Sequence, residues 1–186
     1  MAISQDEPIP AASVQGIFEA AMYAAEKHAA QKRKGAAAEP YINHLIEVAQ
    51  LVAGSSEWLD ANLVMAGLLH DTIEDTGTTA EELEQLFGSD IAGLVVEMTD
   101  DKSLPKEVRK TLQVESAPHK SVRAQVIKLA DKISNLRSLL ASPPATWNTE
   151  RKREYLTWAQ NVVNALSAPN PILKAEFERT LAKFKG

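Results

Sequence analysis

Apolar residues recur at helical spacing from Ser13 to Ala30, where Val14, Ile17, Phe18, Ala21, Met22 and Ala25 fall on one stripe. Residues 1 to 12, with Pro8 and Pro10, read instead as a flexible lead-in. The pattern breaks at QKRKGAAAEP (31–40), where a basic cluster, a glycine and a proline predict a loop, with one short β-hairpin over 32–42 as the other option. A helix then runs to about Ala53, capped by Asn43, with Leu45, Val48, Ala49 and Val52 on its inner face. Ser55 and Ser56 are placed to cap the next helix, which the pattern carries through LDANLVMAGLLHDTIEDT. From Leu63 to Leu69 every position is apolar, the mark of a helix buried on all sides. Thr78 and Glu81 have capping-box spacing, and Gly88 suits the end of that helix. Further helices are predicted over Ser89–Met98, from Pro105 to about Ser116, and over Ser121–Leu140. SPP at 142–144 is a clear stop, followed by helices over Glu150–Leu166 and from Asn170-Pro171 to near Lys185.

This is an all-α pattern of about eight to ten helices, with no repeat and no dividing linker, so residues 13–186 read as one domain. Composition agrees: 28 alanines and only 5% aromatic residues favour helices over a β-sandwich. With 45% hydrophobic and 24% charged residues, a wholly disordered chain is excluded. The net charge of −5 gives no global attraction to nucleic acid or to an anionic membrane, so an anionic ligand would need a local basic patch. Cysteine is absent, which removes disulfides and thiolate metal sites. The start MAISQDEPIPAAS lacks the features of a signal peptide, and no apolar run is long enough to span a bilayer, so a cytoplasmic protein is expected.

The chemistry concentrates in His70-Asp71-Thr72-Ile73-Glu74-Asp75, directly after the apolar run. Carboxylates are costly in an apolar neighbourhood unless paired, and near a helix C-terminus they face the negative end of the macrodipole. Lys and Arg are missing from Asn62 to Gly77, so a bound divalent cation is the remedy the sequence offers. Two further residues could complete its coordination. His44 stands near a helix start and, taken alone, reads as a hydrogen-bonded core histidine. Asp131 interrupts the apolar face of VIKLAD (126–131) and, taken alone, reads as half of a surface pair with Lys128. Together with His70 and Asp71 they supply two imidazoles and two carboxylates, a set suited to a first-row ion such as Mn²⁺.

His44, His70-Asp71 and Asp131 form the H…HD…D signature of the HD-domain metal-dependent phosphohydrolases. KRKG (32–35), EPYINH (39–44), HDTIEDT (70–76), TDDKSLPK (99–106) and KLADKISNL (128–136) extend it in order. With these, the chain resembles the hydrolase domain of the RelA/SpoT alarmone enzymes in its stand-alone, MESH1-like form, from about Ala20 to Leu166. The resemblance implies an HD-domain helical bundle that removes the 3′-pyrophosphate of (p)ppGpp with Mn²⁺, giving GDP or GTP and pyrophosphate. It implies His44, His70, Asp71 and Asp131 as metal ligands and Glu74 with Asp75 as the pair that activates water, without saying which is the base. It also implies Arg33, Lys34 and Asn135 as substrate contacts, with Lys106, Arg151 and Tyr155 as further phosphate and base contacts. Lys32 and Arg109 would join the basic rim that a highly anionic nucleotide requires. Leu45 stands where the family usually has proline, and Gly35 to Ala38 is more alanine-rich than usual. No synthetase domain is expected. The competing expectations are an HD phosphohydrolase for another nucleotide, such as the 2′-phosphate of NADPH or a nucleoside monophosphate, a nucleotide sensor, and a purely structural bundle.

Overall fold

The computed structural model describes residues 11–56 and 59–184. Ten α-helices order these residues: α1 (Ala11–Lys27), α2 (Ile42–Ala53), α3 (Ala61–Leu69), α4 (Thr72–Asp75), α5 (Ala80–Phe87), α6 (Ser89–Met98), α7 (Lys106–Ser116), α8 (Val122–Ala141), α9 (Thr149–Ala165) and α10 (Pro171–Ala182). A single 3-10 turn, Ala117–His119, joins α7 to the approach of α8. The first ten positions of the expected lead-in lie outside the described residues, and α1 begins at Ala11. No described helix is long and apolar enough to cross a membrane.

The apolar run makes α3 the centre of the bundle. Leu63 through Leu69 are all buried, and α1, α2, α6 and α8 pack around this helix. Asp60 caps it by accepting from the Leu63 N–H at 3.0 Å. The expected caps Ser55 and Ser56 lie before that point, and the Ser55 hydroxyl donates back to the Val52 carbonyl. On α2 the expected inner face, Leu45, Val48, Ala49 and Val52, is buried. Its start differs: the helix begins at Ile42, so Asn43 lies inside it and caps nothing. On α1 the expected stripe is rotated. Ala20 and Ala24 face the core, while Phe18 and Met22 are 67% and 62% exposed. Small residues let α1 lie close against α3, with Ile17 packed at the edge of the core and Phe18 and Met22 left outside.

Several caps shift by one residue. Thr79, not Thr78, caps α5, accepting from Glu82 N at 3.1 Å. Gly88 ends α5 and starts α6 at φ +88°, a conformation that favours glycine. Pro105 sits just before the first residue of α7 rather than at it. Ser121, Asn148 and Asn170 cap α8, α9 and α10.

Between α1 and α2 the chain doubles back as a strap. Arg33 N donates to Glu39 O at 2.8 Å and Tyr41 N to Gln31 O at 3.1 Å. Lys32 and Pro40 form an isolated antiparallel bridge, so the hairpin option reduces to one bridge with no strand among the described residues. The Ser142 hydroxyl, just past α8, accepts from Ala37 N at 2.8 Å and pins the strap tip. Gly35 lies so close that a Cβ there would collide with the Ser142 backbone oxygen.

Candidate metal centre

Three segments bring the sequence-predicted ligands together. His44 comes from the first turn of α2, His70 and Asp71 from the junction of α3 and α4, and Asp131 from the middle of α8. The pattern predicts one helix through Thr76, but α3 stops at Leu69. The Thr72 hydroxyl donates to the Leu69 carbonyl at 2.7 Å at the break. Potential ligand atoms of His44, His70 and Asp131 lie within 4.8 Å of one another. Asp71 Oδ2 lies 3.6 Å from His44 Nε2 and 3.2 Å from His70 Nε2. Asp131 Oδ1 lies 3.4 Å from His44 Nε2 and 3.9 Å from His70 Nε2.

The hydrogen bonds behind the cluster aim its lone pairs inward. His70 Nδ1 contacts the Gly67 carbonyl at 2.8 Å; a carbonyl only accepts, so Nδ1 carries the proton. In the neutral ring His70 Nε2 then presents its lone pair, buried and without a hydrogen-bond partner. A buried polar atom without a partner is costly, and a cation between two imidazoles and two carboxylates removes that cost. Behind Asp71, the Tyr41 hydroxyl donates to Oδ2 at 2.7 Å. Asn135 Nδ2 donates to Asp131 Oδ1 at 2.5 Å, and Lys132 Nζ to Oδ2 at 3.1 Å. The donor set and the orphaned nitrogen therefore fit a divalent metal.

The proton equilibria carry the same signature. Burial works against charge on His70, yet Asp71, with help from Asp131, overrides it and pushes the imidazole up to about 9. Burial alone would raise both carboxylates. His70 and His44 instead hold Asp71 well below the ordinary range, and Lys132 with the two histidines does so for Asp131. The cluster thus favours extra positive charge at its centre, which a metal ion supplies in place of a proton.

Beside the cluster stand Glu74 and Asp75. Asp75 is tied on both oxygens, Oδ2 accepting from Gln31 Nε2 at 2.7 Å and Oδ1 from the Lys102 ammonium. Glu74 accepts from Asp100 N at 3.1 Å and lies 3.6 Å from Arg109 Nη1. Burial raises the Glu74 carboxyl, and the Asp100, Asp71 and Asp75 charges add to this against the Asp100 N–H. Both residues line a cavity of about 400 Å³ together with Arg33, Lys34, Lys106, Asn135, Arg151 and Tyr155. One wall is aromatic: Tyr155 lies 5.4 Å, ring to ring, from both Trp147 and Trp158.

A profile of the HD domain family matches residues 20–161. The guanosine-3′,5′-bis(diphosphate) 3′-pyrophosphohydrolase MESH1 of Xenopus tropicalis is 48% identical over 162 residues, 87% of this chain and 90% of its own. The human MESH1 is 49% identical over 154 residues, 83% of this chain and 86% of its own. The chain belongs to the HD-domain family, on its MESH1 branch. A solved structure described as a metazoan ortholog of SpoT that hydrolyzes ppGpp superposes at a TM-score of 0.88 with 42% identity, covering 96% of this chain and 98% of that one.

As a MESH1-branch HD domain, the chain lines one cleft with every sequence-predicted site residue except His44, which stands behind it against Asp71 and Asp131, and Lys32 and Arg109 line it too. One pairing is corrected. Lys128 and Asp131 are not a surface pair: both are buried, and the ammonium on Asp131 is Lys132. Several residues that the sequence reading gave no role also stand at the site. Tyr41 touches Asp71, and its position three residues before His44 was the available signal. Gln31 reaches Asp75 across 44 positions, which no local pattern reveals. Lys132 also lies 4.3 Å above the Trp158 ring.

Proposed function

We propose that this chain hydrolyses the 3′-pyrophosphate of guanosine tetra- and pentaphosphate, releasing pyrophosphate and leaving GDP or GTP. The observation that carries the reading is the buried, unpartnered Nε2 of His70, facing His44 and two carboxylates at the edge of a cation-lined cavity. His44, His70, Asp71 and Asp131 hold one divalent ion, Mn²⁺ by its tolerance of mixed imidazole and carboxylate ligands. When bound, the ion polarises a phosphoryl oxygen and makes a water more acidic.

The chain's own groups do the rest. Glu74 takes the proton from the attacking water, because burial and the neighbouring carboxylates make it a stronger base than an ordinary glutamate. Asp75 orients that water, both of its oxygens being held by Gln31 and Lys102. Water adds to the phosphorus on the ribose 3′ oxygen, that P–O bond breaks, and the 3′ oxygen gains a proton as pyrophosphate leaves. Asn135 is held by Arg33, whose Nη2 donates to its Oδ1 at 3.0 Å, and the pair positions the nucleotide over the carboxylates. Lys34, Lys106 and Arg151 neutralise the phosphates. Tyr155 offers a ring face for the base.

The test is pyrophosphate release from ppGpp by the purified chain with Mn²⁺, with and without a chelator. Chelator-sensitive pyrophosphate release is expected. Absence of turnover, or orthophosphate release from NADPH as the dominant activity, overturns the substrate assignment.

A further inference from the structure

His44 is held from behind by a side-chain relay that His70 lacks. Its Nδ1 lies 2.8 Å from the Ser134 hydroxyl, and the same hydroxyl donates to Glu47 Oε2 at 2.6 Å. Glu47 Oε1 accepts from Arg137 Nη1 at 2.8 Å, and Arg137 Nη2 reaches Glu176 Oε1 on α10 at 2.8 Å. The polarity follows from which groups can donate. Arg137 only donates, so Glu47 Oε1 accepts from it, and Oε2 accepts from the Ser134 hydroxyl. Ser134 has one proton, and its short bond to a carboxylate commits it to Glu47. Ser134 can then only accept from His44, so the proton sits on Nδ1 and the lone pair of Nε2 faces the cluster. His70 reaches the same tautomer through a backbone carbonyl, which no side-chain replacement alters.

We propose that Ser134 and Glu47 are positioning residues that fix the tautomer and orientation of His44 and strengthen it as a metal ligand. This rests on the assignment of His44 as a ligand. His44 and Ser134 are buried, at 3% and 1% exposure, so water cannot readily replace the lost contact. A carboxylate behind a ligating histidine raises its donor strength, and loss of such support lowers metal affinity by about 10- to 100-fold. Glutamine at 47 can donate to Ser134, which lets the hydroxyl turn and donate to Nδ1. The imidazole proton then moves to Nε2, where it opposes the metal.

The test is Mn²⁺ affinity of the purified full chain, titrated calorimetrically, beside the melting temperature of each metal-free variant. Ser134→Ala and Glu47→Gln are expected to weaken Mn²⁺ binding roughly tenfold or more. Ser134→Thr, which keeps the hydroxyl, is expected to restore it, and Glu176→Gln, which removes the charge from only the outer link to α10, to bind as the parent does. Parental affinity in both Ser134→Ala and Glu47→Gln, with binding lost in His44→Ala, overturns the relay and leaves the ligand assignment standing. An equal loss in Glu176→Gln marks general loosening and also overturns it. Unchanged affinity in His44→Ala overturns the ligand assignment itself.

Discussion

The floor and the rim of the cleft solve opposite electrostatic problems. On the floor, the carboxylates and the imidazole Nδ1 atoms have partners within the protein: Tyr41 on Asp71, Lys132 and Asn135 on Asp131, Gly67 and Ser134 on the histidines. Only the space between the inward lone pairs is left for something positive. On the rim, cations face one another. The Lys106 ammonium is pushed down by burial and then by Arg151, Lys110 and Lys34, and among the described residues neither Lys34 nor Lys106 forms an ion pair. The difference teaches that the two surfaces are complementary to different charges, a cation below and an anion above. A phosphorylated ligand bridging to a metal satisfies both.

Breaking the floor should cost most. Asp131→Ala or Asp71→Ala is expected to lower kcat about 10³-fold or more, because the ion's charge stabilisation goes with its ligand. The fold should survive, since α3 and α8 keep their apolar packing; the check is circular dichroism beside turnover. Near-parental Mn²⁺-dependent turnover in Asp131→Ala would remove that residue from the centre.

Glu74→Gln separates metal holding from proton handling. Mn²⁺ affinity should hold within a few fold while kcat drops about 10²- to 10⁴-fold. The parent's acid limb should reflect the raised Glu74 carboxyl: turnover is full when the group is ionised and falls as pH drops through a value above the ordinary glutamate range. A pH–rate profile with its acid limb at or below that range would transfer the base role away from Glu74.

The same contrast explains what the sequence made legible. The floor rides on helices whose apolar periodicity is strong, so His70 and Asp71 stand out as polar residues after a buried run. The inner face of α2 and the course of α8 follow from the same rule. The resemblance to HD-domain hydrolases then united residues that periodicity leaves scattered. Partners from distant segments were not legible: Gln31 on Asp75, Ser134 behind His44, and Ser142 against the strap exist only after folding. The stripe on α1 misled because spacing finds a helical face without saying whether large or small residues turn inward. The break at Leu69 was hidden because its helical pattern continues past it and no glycine or proline marks it.

Breaking the rim should cost less and appear in a different constant. Lys106→Ala is expected to raise KM for ppGpp roughly tenfold, the worth of one charged hydrogen bond, with kcat within a few fold and a weaker salt dependence. Gly35→Ala attacks the rim through the strap. The new methyl must displace Ser142 or the strap, moving Arg33 and Lys34, and a severalfold rise in KM is expected from roughly 1 kcal/mol of misplacement. Unchanged kinetics in both variants would locate phosphate recognition elsewhere.

The smallest expected effect concerns a cation on the floor that lacks the pairing of its neighbour. Lys128 is 3% exposed and forms no ion pair among the described residues, whereas Lys132 holds Asp131. Burial first, then Lys132, pushes the Lys128 ammonium down to about 8 from an ordinary 10.5. Below pH 8 the folded state carries the full cost of the buried charge. Between 8 and 10.5 the unfolded chain keeps its proton while the folded chain releases it, so this cost fades and stability from this group rises with pH. Lys128→Met keeps the length and removes the charge, and should raise the melting temperature of the metal-free chain by a few degrees at pH 7. The gain should shrink in melts at pH 9.5. A variant that melts lower than the parent at pH 7 would show that the Lys128 charge supports the carboxylates of the floor rather than burdening them.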